Sequence, residues 1–410
     1  MHDQTRRHFY QTFAKIGLLS FGGPAAQIAL MHRVLVAEQA WLKEREFSTA
    51  LSFCMLLPGP EAMQLATYAG WKLRGIAGGL AAGLLFILPG ACLIWALAFG
   101  YIKYGATPWV EDAFLGIKAS VITIVALALI RLAQRTLLSA PSRLIALCAF
   151  LGLFVLALPY PLVLIMAAIG GLALLSNSKR AVSLQPVGKK QPLRVLAVGL
   201  PLWLAPLVFL HTLGFSFLTE LSLYFAKLAV LSFGGAYALL GWMVQTVVQD
   251  HGWVTATQMM DALGLAETTP GPLILVTQFV GHLAGYGQGG IGLAALAGVL
   301  TLWTVFLPCF IFIFVGAPYI EQILAQPRLQ AALDGITAGV NGVIASLSLW
   351  FAVSVLWPGQ RLETLSSPDW AAALLIVTGA TLAWRSRANL FVVILGNAVL
   401  SVLFHQILFT

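Results

Sequence analysis

Apolar residues dominate this chain in long unbroken runs, and polar residues collect in short clusters between them. Continuous apolar runs of this length predict α-helices that cross a bilayer. A transmembrane β-barrel would show alternating segments of about ten residues instead. The first apolar element covers roughly 10–36 and is broken at Gly22-Gly23-Pro24; a charged loop with Arg33, Glu38, Lys43, Glu44, Arg45 and Glu46 follows. The second covers roughly 48–70 and is broken at Pro58-Gly59-Pro60. Proline removes a backbone donor and clashes with the preceding turn, so a continuous helix through Pro58 and Pro60 is not expected. Further helices are predicted over roughly 77–104, 110–138, 143–158 and 160–176.

The pattern then repeats. FAKIGLLSFGG at 13–23 returns as FAKLAVLSFGG at 225–235, an offset of 212. Trp41 matches Trp253, and Pro58-Gly59-Pro60 matches Pro270-Gly271-Pro272, at the same offset. Leu88-Pro89 matches Leu307-Pro308 at an offset of 219, as does the neighbourhood of Gly116-Ile117 with that of Gly335-Ile336. Motifs kept in order at nearly constant offsets mark a duplication. The expected organisation is a first repeat over 1–176, a basic cytoplasmic linker over 177–194, a connecting transmembrane helix over 195–212, and a second repeat over 213–410.

Charge adds orientation. In the first repeat the basic residues fall after the PGP element (Lys72, Arg74) and around 131–143 (Arg131, Arg135, Arg143); more follow in the linker. In the second repeat the loop equivalent to Lys72 and Arg74 has no Lys or Arg, whereas the last inter-helix loop carries Arg385 and Arg387 and its first-half counterpart, Pro159-Tyr160-Pro161, is uncharged. Positive residues stay on the cytoplasmic side, so the repeats are expected in opposite orientations, with 195–212 supplying the flip. The fold class expected is an all-α polytopic membrane protein of two inverted-topology homologous halves, with roughly 12–13 transmembrane segments. The PGP elements either span once or turn back as re-entrant hairpins; the sequence leaves both open.

Composition agrees. The chain is 60% hydrophobic and 9% charged, against about 25% charged in a soluble domain. A net charge of +8 reads as loop residues that set topology, and no nucleic-acid partner is expected. The four cysteines lie scattered in apolar runs and the seven histidines form no HxxxH or HExxH pattern, so neither a metal nor a cofactor is expected. No GxxxxGK[ST] loop is present, which argues against ATP-driven pumping by this chain. The basic N-terminus lacks a signal-peptide cleavage site, so the first apolar segment is expected to be retained.

Broken helices in membrane carriers present half-helix N-termini to anions near the midplane. Four such breaks occur here: Gly22-Gly23-Pro24 with the preceding Ser20, Gly234-Gly235, Pro58-Gly59-Pro60, and Pro270-Gly271-Pro272. Lys15 and Lys227 stand at matched positions before the two Gly-Gly breaks, and an intramembrane charge is a candidate site residue. The competing reading is a lysine snorkelling to the interface. Glu61 follows the first PGP and Glu267 precedes the second; each is read as a proton carrier, a lysine partner or a helix cap. Gln27, Gln64, Thr67, Thr268, Thr269, Gln278 and Asn341 are neutral hydrogen-bonding candidates near the breaks. Polar glue between helices is their alternative role.

At FAKIGLLSFGGP (13–24), LLPGPEAMQLATYAGW (56–71), GGLAAGLLFILPG (78–90), KLAVLSFGG (227–235) and TTPGP (268–272) the chain resembles the chromate ion transporter family in its long two-domain form. The resemblance covers nearly the whole chain. It implies export of chromate from the cytoplasm across a bacterial inner membrane by a multi-pass protein, with chromate resistance as the outcome and related handling of sulfate. A carrier or exchanger of sulfate or another oxyanion with the same architecture is the alternative. The second repeat departs from the first, because Ala236 replaces the proline of GGP and no glutamate follows its PGP. The resemblance leaves the oligomeric state open, a homodimer included. An intramembrane enzyme would need a nucleophile–base constellation, which the scattered histidines do not supply.

Overall fold

A bilayer core offers no water to backbone polar groups, so a chain this apolar must satisfy them within helices. In the computed structural model, the described residues are 2–175, 190–233, 236–324, 326–357, 369–385 and 390–409. Among them every regular element is helical. The first part holds α1 His2–Leu19, α2 Gly23–His32, α3 Glu44–Leu56, α4 Glu61–Tyr104, α5 Pro108–Thr136, α6 Ala140–Phe154 and α7 Tyr160–Leu174. After α8 Lys190–Thr212 come α9 Ser216–Leu231, α10 Ala236–Met243, α11 Ala256–Thr268, α12 Val276–Gly316, α13 Ile320–Leu324, α14 Pro327–Leu356, α15 Trp370–Arg385 and α16 Leu390–Phe409. Of the basic positions used for orientation, Lys179, Arg180, Lys189 and Arg387 lie outside the described residues, as do Gly234 and Gly235.

Five helical stretches are long and apolar enough to cross a membrane: Glu61–Tyr104, Pro108–Thr136, Pro192–Thr212, Leu273–Tyr319 and Pro327–Leu356. The protein is therefore a polytopic, all-α membrane protein. Four shorter apolar helices accompany them.

Two of the long stretches are folded back on themselves. In α4 the backbone leaves helical geometry at Arg74 (φ −142°, ψ 23°) and Gly75 (φ 66°, ψ −159°). A Cβ on Gly70 would lie 2.3 Å from the Gly78 carbonyl oxygen, and one on Gly78 would lie 2.4 Å from that of Gly70. Residues eight apart meet this way only when the chain reverses, since a straight helix would carry them about 12 Å apart. α12 does the same at Gly289 (φ −170°, ψ 24°) and Gly290 (φ 75°, ψ −162°). There Gly285 lies against the backbone of Leu293 and Gly281 against Thr301. Each stretch thus has a short first arm and a long second arm. Gly75 and Gly290 supply the left-handed conformation that the reversal needs.

The first PGP element also turns back. Lys72 Nζ, near the end of the first arm of α4, lies 3.5 Å from Glu46 Oε1 at the start of α3. The open ends of this helix pair are therefore together and Pro58-Gly59-Pro60 is its tip. α3 has 13 residues, so the tip lies about 20 Å from the charged end. The first PGP element is therefore a helical hairpin. α1 and α2 form a second hairpin of this type. The π-helical turn Arg33–Glu38 extends α2, His8 Nε2 lies 2.7 Å from Gln39 Oε1, and the ring of Phe9 stacks on Trp41. Its tip is Ser20–Gly23.

Local structure recurs with the sequence repeat. The Trp41 N–H donates to the Leu35 carbonyl at 2.8 Å, and Trp253, 212 residues later, donates to Val247 at 2.9 Å. A second π-helical turn, Val244–Asp250, matches the first.

The fold forms two compact units, and each draws on both repeats. One comprises Met1–Ala96, Ser176–Leu239 and Thr269–Leu333; the other comprises Leu97–Leu175, Leu240–Thr268 and Asp334–Thr410. In the first, α12 is the central helix, packed by α8 and α9. Trp203 and Trp303 each donate an indole N–H across the α8–α12 seam, to the carbonyls of Thr304 and Leu202. The second arms of α4 and α12 lie side by side and antiparallel, with Gly79 against Phe314 and Gly83 against Phe310. In the second unit α5 is central, flanked by α11, α15 and α16.

Candidate functional site

The broken segments of the first unit converge on one another. The Gly271 N–H, in the second PGP, donates to the Ser20 carbonyl at 2.9 Å. The Gly59 N–H, in the first PGP, donates to the Ser232 carbonyl at 3.1 Å. Gly59 and Gly271 are 212 residues apart, and so are Ser20 and Ser232, so each repeat lends the other the same bond. A backbone N–H freed by a helix break must find a partner in protein. Here the partner is a carbonyl that the opposite repeat's break has freed.

Both PGP glycines are left-handed, with φ 117° at Gly59 and 93° at Gly271. Each turn presses on the long arm of the other repeat. A Cβ on Gly90 would lie 2.0 Å from the Pro270 carbonyl oxygen, and one on Gly59 would lie 2.7 Å from Cys309 Sγ. Gly90 and Cys309 directly follow the matched prolines Pro89 and Pro308. These small residues give the turns room to seat.

Three buried glutamines pin this junction. Gln27 Nε2 donates to the Gly271 carbonyl at 2.7 Å and reaches the Ser20 carbonyl at 3.2 Å, so it bridges the two repeats. Gln64 Nε2 donates to Pro58 within the first PGP hairpin at 2.7 Å. Gln278 Nε2 donates to Ala91 on α4 at 3.0 Å and lies 3.3 Å from His282 Nε2. In each amide the oxygen is buried without a hydrogen-bond partner.

The open side of the junction lies at the start of α2. Gly22 is left-handed (φ 86°) and caps the helix with no side-chain bond, and Pro24 occupies its first turn. Nothing lies within 4 Å of a Cβ built on Gly23, and Ala25 and Ala26 are exposed. Glu61 begins the first arm of α4 and is half-buried, while Pro58, Gly59 and Pro60 are buried. The N–H groups of a first helical turn have no intrahelical acceptor and carry a partial positive charge. Such a tip can hold an anion by donated hydrogen bonds without an opposing fixed charge.

Of the residues expected from sequence, Ser20, Gln27 and Gly271 are brought into direct contact, as are Pro58 and Gln64. Pro270, Pro272 and Thr269 are buried beside Gly271 in the chain. Thr67 is buried, with its hydroxyl toward Met63 Sδ at 3.8 Å and close to Gly83. Lys15 on α1 and Lys227 on α9 are exposed. Glu267 is 4% exposed near the end of α11, in the second unit. Asn341, also in the second unit, donates to Thr136 Oγ1 at 2.9 Å. Gly234 and Gly235 lie outside the described residues.

Four residues escaped the reading from sequence: Ser232, Gly90, Cys309 and His282. Ser232 was available from the 212-residue offset applied to Ser20, and Gly90 and Cys309 from the matched prolines. His282 is fully buried and fits against Gly298, where a Cβ would overlap its ring. An ionisable residue in an apolar run was its only signal.

A multi-pass chain whose helix breaks meet one another inside the protein belongs to the class of membrane transport proteins rather than soluble enzymes. The particular family follows from comparison: this chain belongs to the chromate transporter family, whose model matches residues 7–173 and 219–402. It is 35% identical to the chromate transport protein of Pseudomonas aeruginosa over 405 residues, covering 94% of this chain and 89% of that one. It is 32% identical to the probable chromate transport protein of Synechococcus elongatus, covering 82% and 81%. It is 29% identical to the chromate transport protein of Cupriavidus metallidurans, covering 98% and 94%. No solved structure matches the chain.

Proposed function

We propose that this protein is a secondary carrier that exports chromate from the cytoplasm by alternating access, across a bacterial inner membrane, and so confers chromate resistance. The observation that carries this reading is the reciprocal pair of bonds, Gly271 to Ser20 and Gly59 to Ser232, which gathers the helix breaks of both repeats inside the protein. The anion site is built from Ser20, Gly22, Gly23 and Pro24, from the two PGP turns, and from Gln27, Gln64, Thr67, Thr269 and Gln278. Lys15, Lys227 and Glu61 supply charge at its margins, and Glu267 is proposed with them only from its place beside the second PGP in the sequence. Gly234 and Gly235 complete it by sequence correspondence. Two inverted repeats are part of the proposal, and the antiparallel second arms of α4 and α12 support them.

Energetics favours export. Moving one charge through 100 mV is worth about 2.3 kcal/mol, so a dianion leaving a negative-inside cell gains about 4.6 kcal/mol. Membrane potential alone makes the step downhill.

The test is flux of labelled chromate from liposomes holding the purified protein, under imposed potential, with and without trans sulfate. Saturable chromate flux accelerated by potential is expected. Sulfate exchange without chromate movement would reassign the protein to sulfate. The site assignment is tested with Lys15→Ala and Glu61→Gln: normal flux from both at normal membrane abundance removes them from the site.

A further inference from the structure

The second unit holds a carboxyl group that none of the above explains. Asp261 lies on α11 and is 3% exposed. Its Oδ2 accepts a hydrogen bond from the Tyr101 hydroxyl at 2.8 Å. Its Oδ1 is buried with no hydrogen-bond partner. Among the described residues no lysine, arginine or histidine lies within ion-pair distance of it. The charged and titratable groups that act on it are Tyr101 from the end of α4 and Lys118 and Glu111 from α5. α16 and the π-helical turn Val244–Asp250 also pack on α11; the turn carries one carboxylate, Asp250, which is exposed and is not among the groups acting on Asp261.

The neighbourhood is tight. Gly264, one turn beyond Asp261 on the same face, leaves no room for a Cβ against Ile117 of α5. Tyr101 is itself fixed edge-on to Phe114 of α5, with ring centroids 5.2 Å apart. An ionised carboxylate is costly to bury without a paired charge and a full set of donors. Asp261 has one donor and one vacant oxygen, so a proton is the ligand its chemistry suits. A metal ion would need several converging oxygens, and no cluster of three or more ligating side chains occurs among the described residues. The same helix leads through Thr268 into the second PGP turn, whose Gly271 bonds to Ser20.

We propose that Asp261 is the proton-binding residue of the transport cycle, held at Oδ2 by Tyr101 and taking and releasing a proton at Oδ1. This rests on the carrier reading above. It assigns coupling to a residue outside the glycine–proline junction.

Two measurements on the full-length protein in liposomes test it. The first is infrared difference spectroscopy across a pH titration with no substrate present. A carboxylic-acid C=O band that titrates in the wild type and is lost in Asp261→Asn is expected. Tyr101→Phe removes a donor that favours the ionised form, so it should move the titration of that band upward by about one pH unit. The second is chromate flux at fixed potential, with and without a pH gradient. The wild-type rate should change at least about tenfold with the gradient, and the ratio should fall to near one in Asp261→Asn. A band that survives in Asp261→Asn overturns the proposal, as does wild-type flux that ignores the pH gradient or follows a sodium gradient instead. Should Asp261→Asn not reach the membrane, an unmoved titration in Tyr101→Phe is the overturning result. Wild-type protein that carries no oxyanion refutes the carrier reading, whereas the infrared titration still decides whether Asp261 binds the proton.

Discussion

Gly271 donates its backbone N–H to the carbonyl of Ser20 at 2.9 Å, across 251 residues of sequence and from one repeat to the other. Gly59 and Ser232 make the equivalent bond at 3.1 Å. Neither bond involves a side chain, so the junction depends on backbone shape. Glycine alone gives both the left-handed turn and the space.

Gly59→Ala should therefore be damaging. A left-handed non-glycine residue costs about 1–3 kcal/mol, and the new Cβ would meet Cys309 Sγ. We expect a lower melting temperature in detergent. Cys309→Ala should restore part of the loss, because it removes the overlapping sulfur but leaves the backbone strain. Gly271→Ala, which does not face Cys309, should gain nothing from Cys309→Ala. Equal rescue of both glycine variants would refute the paired arrangement.

Gln27 bridges the two repeats through its amide nitrogen. Gln27→Leu keeps the approximate volume and removes both donated bonds. Leaving a buried acceptor unsatisfied costs about 1–3 kcal/mol. Thermal stability should fall by that amount, and chromate flux should drop at least about tenfold at normal membrane abundance. Flux and stability like the wild type would show that the bridge is idle.

The re-entrant first PGP hairpin predicts which side of the membrane its ends face. In a background without the four native cysteines, Glu46→Cys and Lys72→Cys should both react with an impermeant thiol reagent added to the same side. Their wild-type side chains are an ion pair at 3.5 Å. Labelling from opposite sides would mean that the element crosses the bilayer.

The antiparallel contact between the long arms of α4 and α12 is tested by two glycines on α4. Gly83→Ala would place a Cβ 2.4 Å from both Phe310 and the Thr67 hydroxyl, and overpacking of this kind costs about 1–3 kcal/mol. Gly100→Ala meets nothing within 4 Å and should be neutral or slightly stabilising, since alanine favours helix by about 1 kcal/mol over glycine. Comparison of the two melting temperatures checks the contact. Equal effects would argue against it.

Much of the junction was legible in the chain because proline and glycine act locally. Pro58 and Pro60 break a helix wherever they stand, and the 212-residue offset revealed their counterparts without any coordinates. Gln27 was a weak candidate, because one polar residue in an apolar helix has many uses. Lys15 and Lys227 drew attention by their charge and matched positions, and both are exposed. A one-dimensional offset does not say which way a side chain points. Asp261 was passed over among the polar residues of its segment, since burial is not a local property.

The all-helical membrane class, the duplication and the positions of the breaks were all readable from the chain alone. Each follows from composition or from chemistry confined to a few neighbouring residues. It took the three-dimensional fold to show that the first PGP element turns back on itself, that the turns of the two repeats bond to each other, and that Asp261 is sealed against α5. Those outcomes depend on which freed backbone group finds which partner, and on how closely two helices approach. Both are contacts between residues far apart in the chain.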